Sequence, residues 1–90
     1  MNIRIFDNGG ATCDRYSVMF LDTETDATPN ICCALLMSEN AHMPNGVCMW
    51  ADADLLSHEV DEAYTEIALS DLAPRLQQII IDRYNDLNSL

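Results

Sequence analysis

Ile3-Arg4-Ile5-Phe6-Asp7-Asn8-Gly9-Gly10 is the stretch whose reading decides the fold. Ile3 to Phe6 is a short β-branched and aromatic run of the kind that forms a strand. Asn8-Gly9-Gly10 follows with residues that accept positive φ, which a hairpin turn requires. The chain then returns as a second strand from about Ala11 to Leu21. Along it Tyr16, Val18 and Phe20 point one way, and Ser17, Met19 and Leu21 the other. Its second half is apolar on both faces, which places it inside a sheet.

Asp22 to Asn30 is polar and carries Pro29, so it reads as a loop. Ile31 to Met37 is apolar throughout and reads as a third strand. Ser38 to Gly46, with Asn40, Pro44 and Asn45-Gly46, is a second loop. Val47-Cys48-Met49-Trp50 fits a fourth short strand or a buried loop segment. Ala51 to Tyr64 is ambiguous, because Leu56, Val60, Ala63 and Ile67 keep a helical period while Thr65, Ile67 and Leu69 alternate. The favoured reading is loop or a helical turn to about Glu62, then a strand to Leu69.

A helix is expected from about Asp71 to Leu87. Ser70 or Asp71 is a suitable N-cap, and Pro74 lies in the first turn, where its missing N–H costs nothing. Leu72, Leu76, Ile79, Ile80 and Leu87 form one apolar face. Arg83 lies within that stripe and is expected to snorkel. Ile81 falls on the opposite side, as a lone exposed apolar residue or as part of an interface. The expected fold is α+β: one small antiparallel sheet of three to five strands, N-terminal β-hairpin included, with a C-terminal α-helix packed on one face. Ninety residues hold one such core, so residues 1–90 are read as a single domain.

Charge is the most informative property. The formal net charge is −11, and the four basic residues are all arginine. Arg4 and Arg15 offset Asp7 and Asp14 at one end, and Arg75 and Arg83 offset Asp82 and Asp86 at the other. The excess therefore lies on Asp22, Glu24, Asp26, Glu39, Asp52, Asp54, Glu59, Asp61, Glu62, Glu66 and Asp71, with no Lys or Arg among them. Such a chain is not expected to bind nucleic acid phosphates or an anionic membrane surface, and a charged partner would be basic. The start of the chain lacks the apolar core of a signal peptide, so a cytoplasmic location is expected. Cys13, Cys32, Cys33 and Cys48 are then read as reduced thiols packed as small apolar groups.

Sites of chemistry are weakly marked. The cysteines with His42 and His58 are numerous enough for zinc, but there is no C-x-x-C, and adjacent Cys32 and Cys33 would face opposite ways on a strand. Asp22-Thr23-Glu24-Thr25-Asp26 imitates a calcium loop, yet Ala27 stands where glycine is needed and Cys33 where the bidentate glutamate belongs. Cys48 near His42 is the one local nucleophile–base candidate, without a nucleophile-elbow sequence around it. The reading therefore assigns no catalytic residue, no metal and no cofactor. Asp14-Arg15-Tyr16 is explained by a structural salt bridge or edge protection about as well as by binding.

Ile3 to Gly10, followed by Thr12, Asp14-Arg15-Tyr16 and Val18, resembles a family of small phage- and plasmid-borne proteins without an assigned activity. Met37-Ser38-Glu39-Asn40 with Pro44, Asn45-Gly46 and Trp50 extends the likeness, as does the passage from Ile67 to Pro74. Ala41 and Ala73-Pro74 depart from the family pattern. The resemblance implies a mobile-element setting. With the acidity, it leads to the expectation of a non-enzymatic inhibitor, of anti-CRISPR or anti-restriction type, that mimics nucleic acid charge on a basic host protein. Asp52, Asp54, Glu59, Asp61, Glu62 and Glu66 are the expected contacts, with Asp14, Tyr16, Trp50 and Ile81 as secondary candidates. The alternative is a small interaction or ligand-binding module, an adaptor in a phage complex, whose acidity serves solubility. Homodimerisation is open in either case.

Overall fold

Ile3–Asp7 (β1) and Tyr16–Phe20 (β2) pair antiparallel, with Ile5 opposite Val18 and Asp7 opposite Tyr16. These come from a computed structural model, which describes residues 1–89. The hairpin is the expected one, but the return strand is shorter than Ala11 to Leu21. Asn8 is the reason. Its Oδ1 accepts from the Gly10 and Ala11 amides, and its Nδ2 donates to Thr12 Oγ1 and the Asp14 carbonyl. These bonds hold residues 8–14 in a compact loop instead of a ladder. Gly9 and Gly10 take φ of 72° and 88°, where a side chain would be strained. At the other end Leu21–Thr23 forms a 3-10 turn, fixed by Thr23 Oγ1, which donates to the Phe20 carbonyl and accepts from the Cys33 amide.

Ile31–Met37 (β3) and Cys48–Asp54 (β4) extend the sheet beyond β2, and Thr65–Ile67 (β5) adds to the free side of β1. The order is β4-β3-β2-β1-β5, and every neighbouring pair is antiparallel. In the loop before β4, Gly46 lies against the Asn40 backbone carbonyl, where a Cβ would overlap it. Two expectations are corrected here. The fourth strand does not stop at Trp50 but runs to Asp54, through residues read as loop, and the fifth ends at Ile67 rather than Leu69. Leu69–Asp71 is instead a second 3-10 turn, closed by the Asp71 carboxylate on the Ala68 amide.

Leu55–Val60 (α1) joins β4 to β5 across one face of the sheet, and Pro74–Asn88 (α2) covers the other. Asp54 caps α1, its Oδ1 accepting from the Leu56 and Ser57 amides. The apolar helical face expected from Leu56 and Val60 does not form, since both residues are exposed, Ile67 lies in β5, and Leu55 and His58 face inward instead. Helix α2 begins at Pro74, later than Asp71, and its N-cap Ala73 offers no side-chain bond. Proline at the first position supplies the start that a polar cap would have given.

Two cores result. Tyr16, Val18, Phe20, Leu35 and Met37 pack under Leu72, Leu76 and Ile80, with Ile79 and Leu87 at the margin. Phe6, Met19, Cys32 and Ala34 form the smaller core beneath Leu55 and Tyr64. The fold is therefore the expected α+β arrangement, with a five-stranded antiparallel sheet and a C-terminal helix on one face. Ile81 is half-buried, not fully exposed, and Arg83 is half-buried as a snorkelling residue would be. No helix among the described residues is long and apolar enough to cross a membrane.

Candidate functional site

Tertiary structure redistributes the charge. Arg4 projects from β1 toward α1 and β5 and meets two of the acids that its sequence neighbourhood lacks. Its guanidinium donates through Nε to Glu66 Oε2 at 3.0 Å and through Nη2 to Oε1 at 2.7 Å, and Nη1 bonds Glu59 Oε1. The fork holds the Glu66 carboxyl below its usual range and the Arg4 pKa above its own. Arg15 makes a second fork on Asp7, at 2.9 and 3.1 Å, and reaches Glu39 at 3.0 Å. Its hydrogen bonds lower the Asp7 pKa, and the Gly9 amide adds to the effect.

Two arginines thus engage Asp7, Glu39, Glu59 and Glu66. Glu59 and Glu66 belong to the expected contact set, and the structure places both in a brace between β1, α1 and β5. Asp54 and Asp61 are also partly occupied, the first capping α1 and the second accepting from the Ala63 amide. Asp52 and Glu62 are exposed, without a side-chain hydrogen bond among the described residues. The six expected residues therefore do not form one patch of equivalent carboxylates. Spacing along the chain could not reveal this, since Arg4 and Glu66 lie 62 positions apart.

The secondary candidates divide as well. Tyr16 is 9% exposed and lies beneath the Arg15 guanidinium, 5.2 Å from its ring centre, so its ring is not offered to a ligand. Asp14 and Arg15 belong to the loop before β2 and not to a strand; Arg15 pairs with Asp7 and Glu39, and Asp14 contributes its backbone carbonyl to the loop and not its carboxylate to an ion pair. Trp50 is 40% exposed on β4 and rests against Phe20, with ring centroids 5.4 Å apart. Phe20 in turn stacks on Tyr84 at 6.3 Å. Trp50 is thus held from behind and open in front, with Asp52 two positions along on the same face of the strand.

His58 sits over the smaller core against Phe6 and Tyr64, with Nδ1 2.9 Å from the Asp54 carbonyl and Nε2 3.3 Å from Ser17 Oγ. Sequence reading missed this pair, which resembles a nucleophile and its base. Ser17, however, is 2% exposed, and its bond to His58 satisfies a buried hydroxyl. Among the described residues no group of three or more His, Cys, Asp or Glu side chains could hold a metal ion. All four cysteines are free. Cys32 is buried and Cys33 and Cys48 are partly so, but Cys13 is exposed in the hairpin loop and is not a packing residue. Burial raises the Cys32 and Cys33 pKa values, with the nearby charges of Glu24 and Asp52 acting the same way.

An open cleft of about 550 Å³ lies beside the paired β1 and β5, lined by Ile3, Ile5, Ile67 and Leu69 and bordered by Arg4 and Glu66. Its polar border is the ion pair already described. Comparison with protein-family models, curated proteins and solved structures finds no match for this chain.

Proposed function

We infer that this protein acts by binding rather than by catalysis, and that its partner is a basic, nucleic-acid-handling host protein whose charged groove it occupies. The observation that carries this reading is the charge left after folding. Arg4 and Arg15 are consumed by two internal braces, there is no lysine, and Asp52 on β4 and Asp61 and Glu62 just after α1 stay exposed. Carboxylates spread over a rigid surface present negative charge much as phosphates do, and a basic groove lowers the cost of crowding them together. The likeness of the N-terminal block to small phage- and plasmid-borne proteins supports a mobile-element setting, and an anti-CRISPR or anti-restriction role fits that setting.

The test is capture from a bacterial host extract, followed by kinetics on the purified pair. A basic partner is expected, with association slowing more than dissociation quickens as salt rises. Neutralising Asp52, Asp61 and Glu62 together should weaken binding more than neutralising Asp82 and Asp86. An acidic partner, or an affinity indifferent to both salt and neutralisation, would sink the reading. In that case the acidity serves solubility, and the apolar cleft at the β1–β5 edge becomes the first place to look for a small ligand.

A further inference from the structure

Strand β4 ends the sheet. Its one hydrogen-bonded neighbour is β3, and among the described residues no strand pairs with the other side of Cys48–Asp54. Proteins commonly blunt such an edge by shortening it, bulging it or placing charged side chains on it, lysine above all. This edge runs for 7 residues and pairs in continuous register with β3. Its only charges are Asp52 and Asp54.

The register sorts the side chains. Trp50, Asp52 and Asp54 lie opposite Leu35, Cys33 and Ile31 on the α2 face, whereas Met49, Ala51 and Ala53 lie opposite Leu36, Ala34 and Cys32 on the α1 face. The edge is therefore aromatic and acidic on one side, small and apolar on the other. Trp50 and Met49 are 40% and 51% exposed, one on each face of the edge strand.

The geometry points to β4 as a docking edge for an extended basic segment of the partner protein, which adds as a sixth strand. Its cationic side chains would lie on the Trp50–Asp52 face and its apolar ones on the Met49–Ala51–Ala53 face. This inference rests on the reading of a basic partner and adds where and in what conformation that partner is held. Unpaired N–H and C=O groups along an edge supply affinity for any extended backbone, and alternate side chains supply the selection. Side chains directly opposite on neighbouring strands approach to about 5 Å between Cβ atoms. An arginine at that position reaches both the indole of Trp50 and the carboxylate of Asp52. Phe20 already braces the indole, so it is presented without being ordered on binding.

A second copy of this chain is the poorer occupant. Two β4 strands would bring Asp52 and Asp54 of two chains of net charge −11 together, with no cation on the strand to answer them.

The experiment titrates isotope-labelled protein with a capped peptide that alternates arginine and valine over the length of β4. Two controls have the same composition: one groups the arginines apart from the valines, and the other is N-methylated at alternate residues. Amide shifts and slowed hydrogen exchange confined to Cys48–Asp54 and its immediate surroundings are expected, with about tenfold weaker binding for each control. Asp52→Arg, at an exposed position, should weaken the alternating peptide by at least about tenfold, and Trp50→Ala by a similar factor. Equal affinity for either control, or shifts that fall away from β4, overturns strand addition while leaving a basic partner standing. Failure of every peptide to bind at low salt removes both readings.

Discussion

Asn8 is 9% exposed, and its side-chain amide is fully engaged, accepting from Gly10 and Ala11 and donating to Thr12 and Asp14. Asn8→Asp keeps the shape but removes both donors and sets a carboxylate against the Asp14 carbonyl. It should cost about 1–3 kcal/mol, the price of leaving buried polar groups unmet, read from the urea midpoint. Arg4 is the other residue on which separate elements depend. Arg4→Gln leaves Glu59 and Glu66 facing each other and should cost about 1 kcal/mol, as exposed but forked ion pairs do. Glu66→Gln in the same chain should recover part of it. Acidification gives the same information with a definite sign. Asp7 and Glu66 titrate lower in the folded than in the unfolded chain. Their contribution is therefore complete above the unfolded values of about 4 and is lost as pH falls through the folded ones. The slope of stability against pH below about 4 should shrink in Arg4→Gln, because Glu66 no longer binds its proton differently in the two states. A slope unchanged by the substitution would show that the brace contributes nothing. None of these roles is visible as a motif. Asn-Gly-Gly announces a turn, but only the fold shows that Asn8, more than the glycines, fixes the loop.

At the scale of elements, legibility followed length and regularity. Helix α2 repeats its apolar stripe over 15 residues behind a proline, so its presence and buried face could be read directly. Ile80→Ala should cost about 2–5 kcal/mol, as a fully buried site does, and half-buried Ile81→Ala clearly less. The β1–β2 hairpin was legible for a similar reason, an apolar run ending in turn residues. Residues 51–64 were not, because strand and helix meet there without a break. Ala51-Asp52-Ala53-Asp54 has the alternation of a strand but almost none of its usual bulk, since it lies at an edge whose outer face buries little. Helix α1 spans only 6 residues, too few to show a period, and uses His58 as one of its two inward contacts. Asp54 is the junction. Asp54→Ala should destabilise the protein by about 1 kcal/mol by removing the cap, and Asp54→Asn should restore most of that. Equal losses in both would mean that the charge, not the cap, matters at this position.

For the whole molecule the decisive comparison is between screening length and size. The described chain measures 36 × 34 × 22 Å and the full chain carries a net charge of −11. At about 0.01 M monovalent salt the Debye length is roughly 30 Å, so every carboxylate feels nearly every other. At about 0.15 M it is roughly 8 Å, and repulsion across the molecule is largely gone. The arginine forks respond differently, because their charges meet at 2.7–3.1 Å, well inside either length. Salt therefore removes much of the destabilising interaction and little of the stabilising one. The urea midpoint should rise between these two concentrations, the reverse of what a fold held by surface ion pairs would show. Binding to a basic partner should weaken over the same interval, because that attraction acts between exposed charges of opposite sign. Opposite responses of stability and affinity to one salt titration would identify the acidic surface as something the fold tolerates for the sake of a partner. A midpoint that falls with salt would instead mean that the two braces dominate the electrostatics. The exposed acids would then lie too far apart to repel, and equally too far apart to act together as a mimic of phosphates.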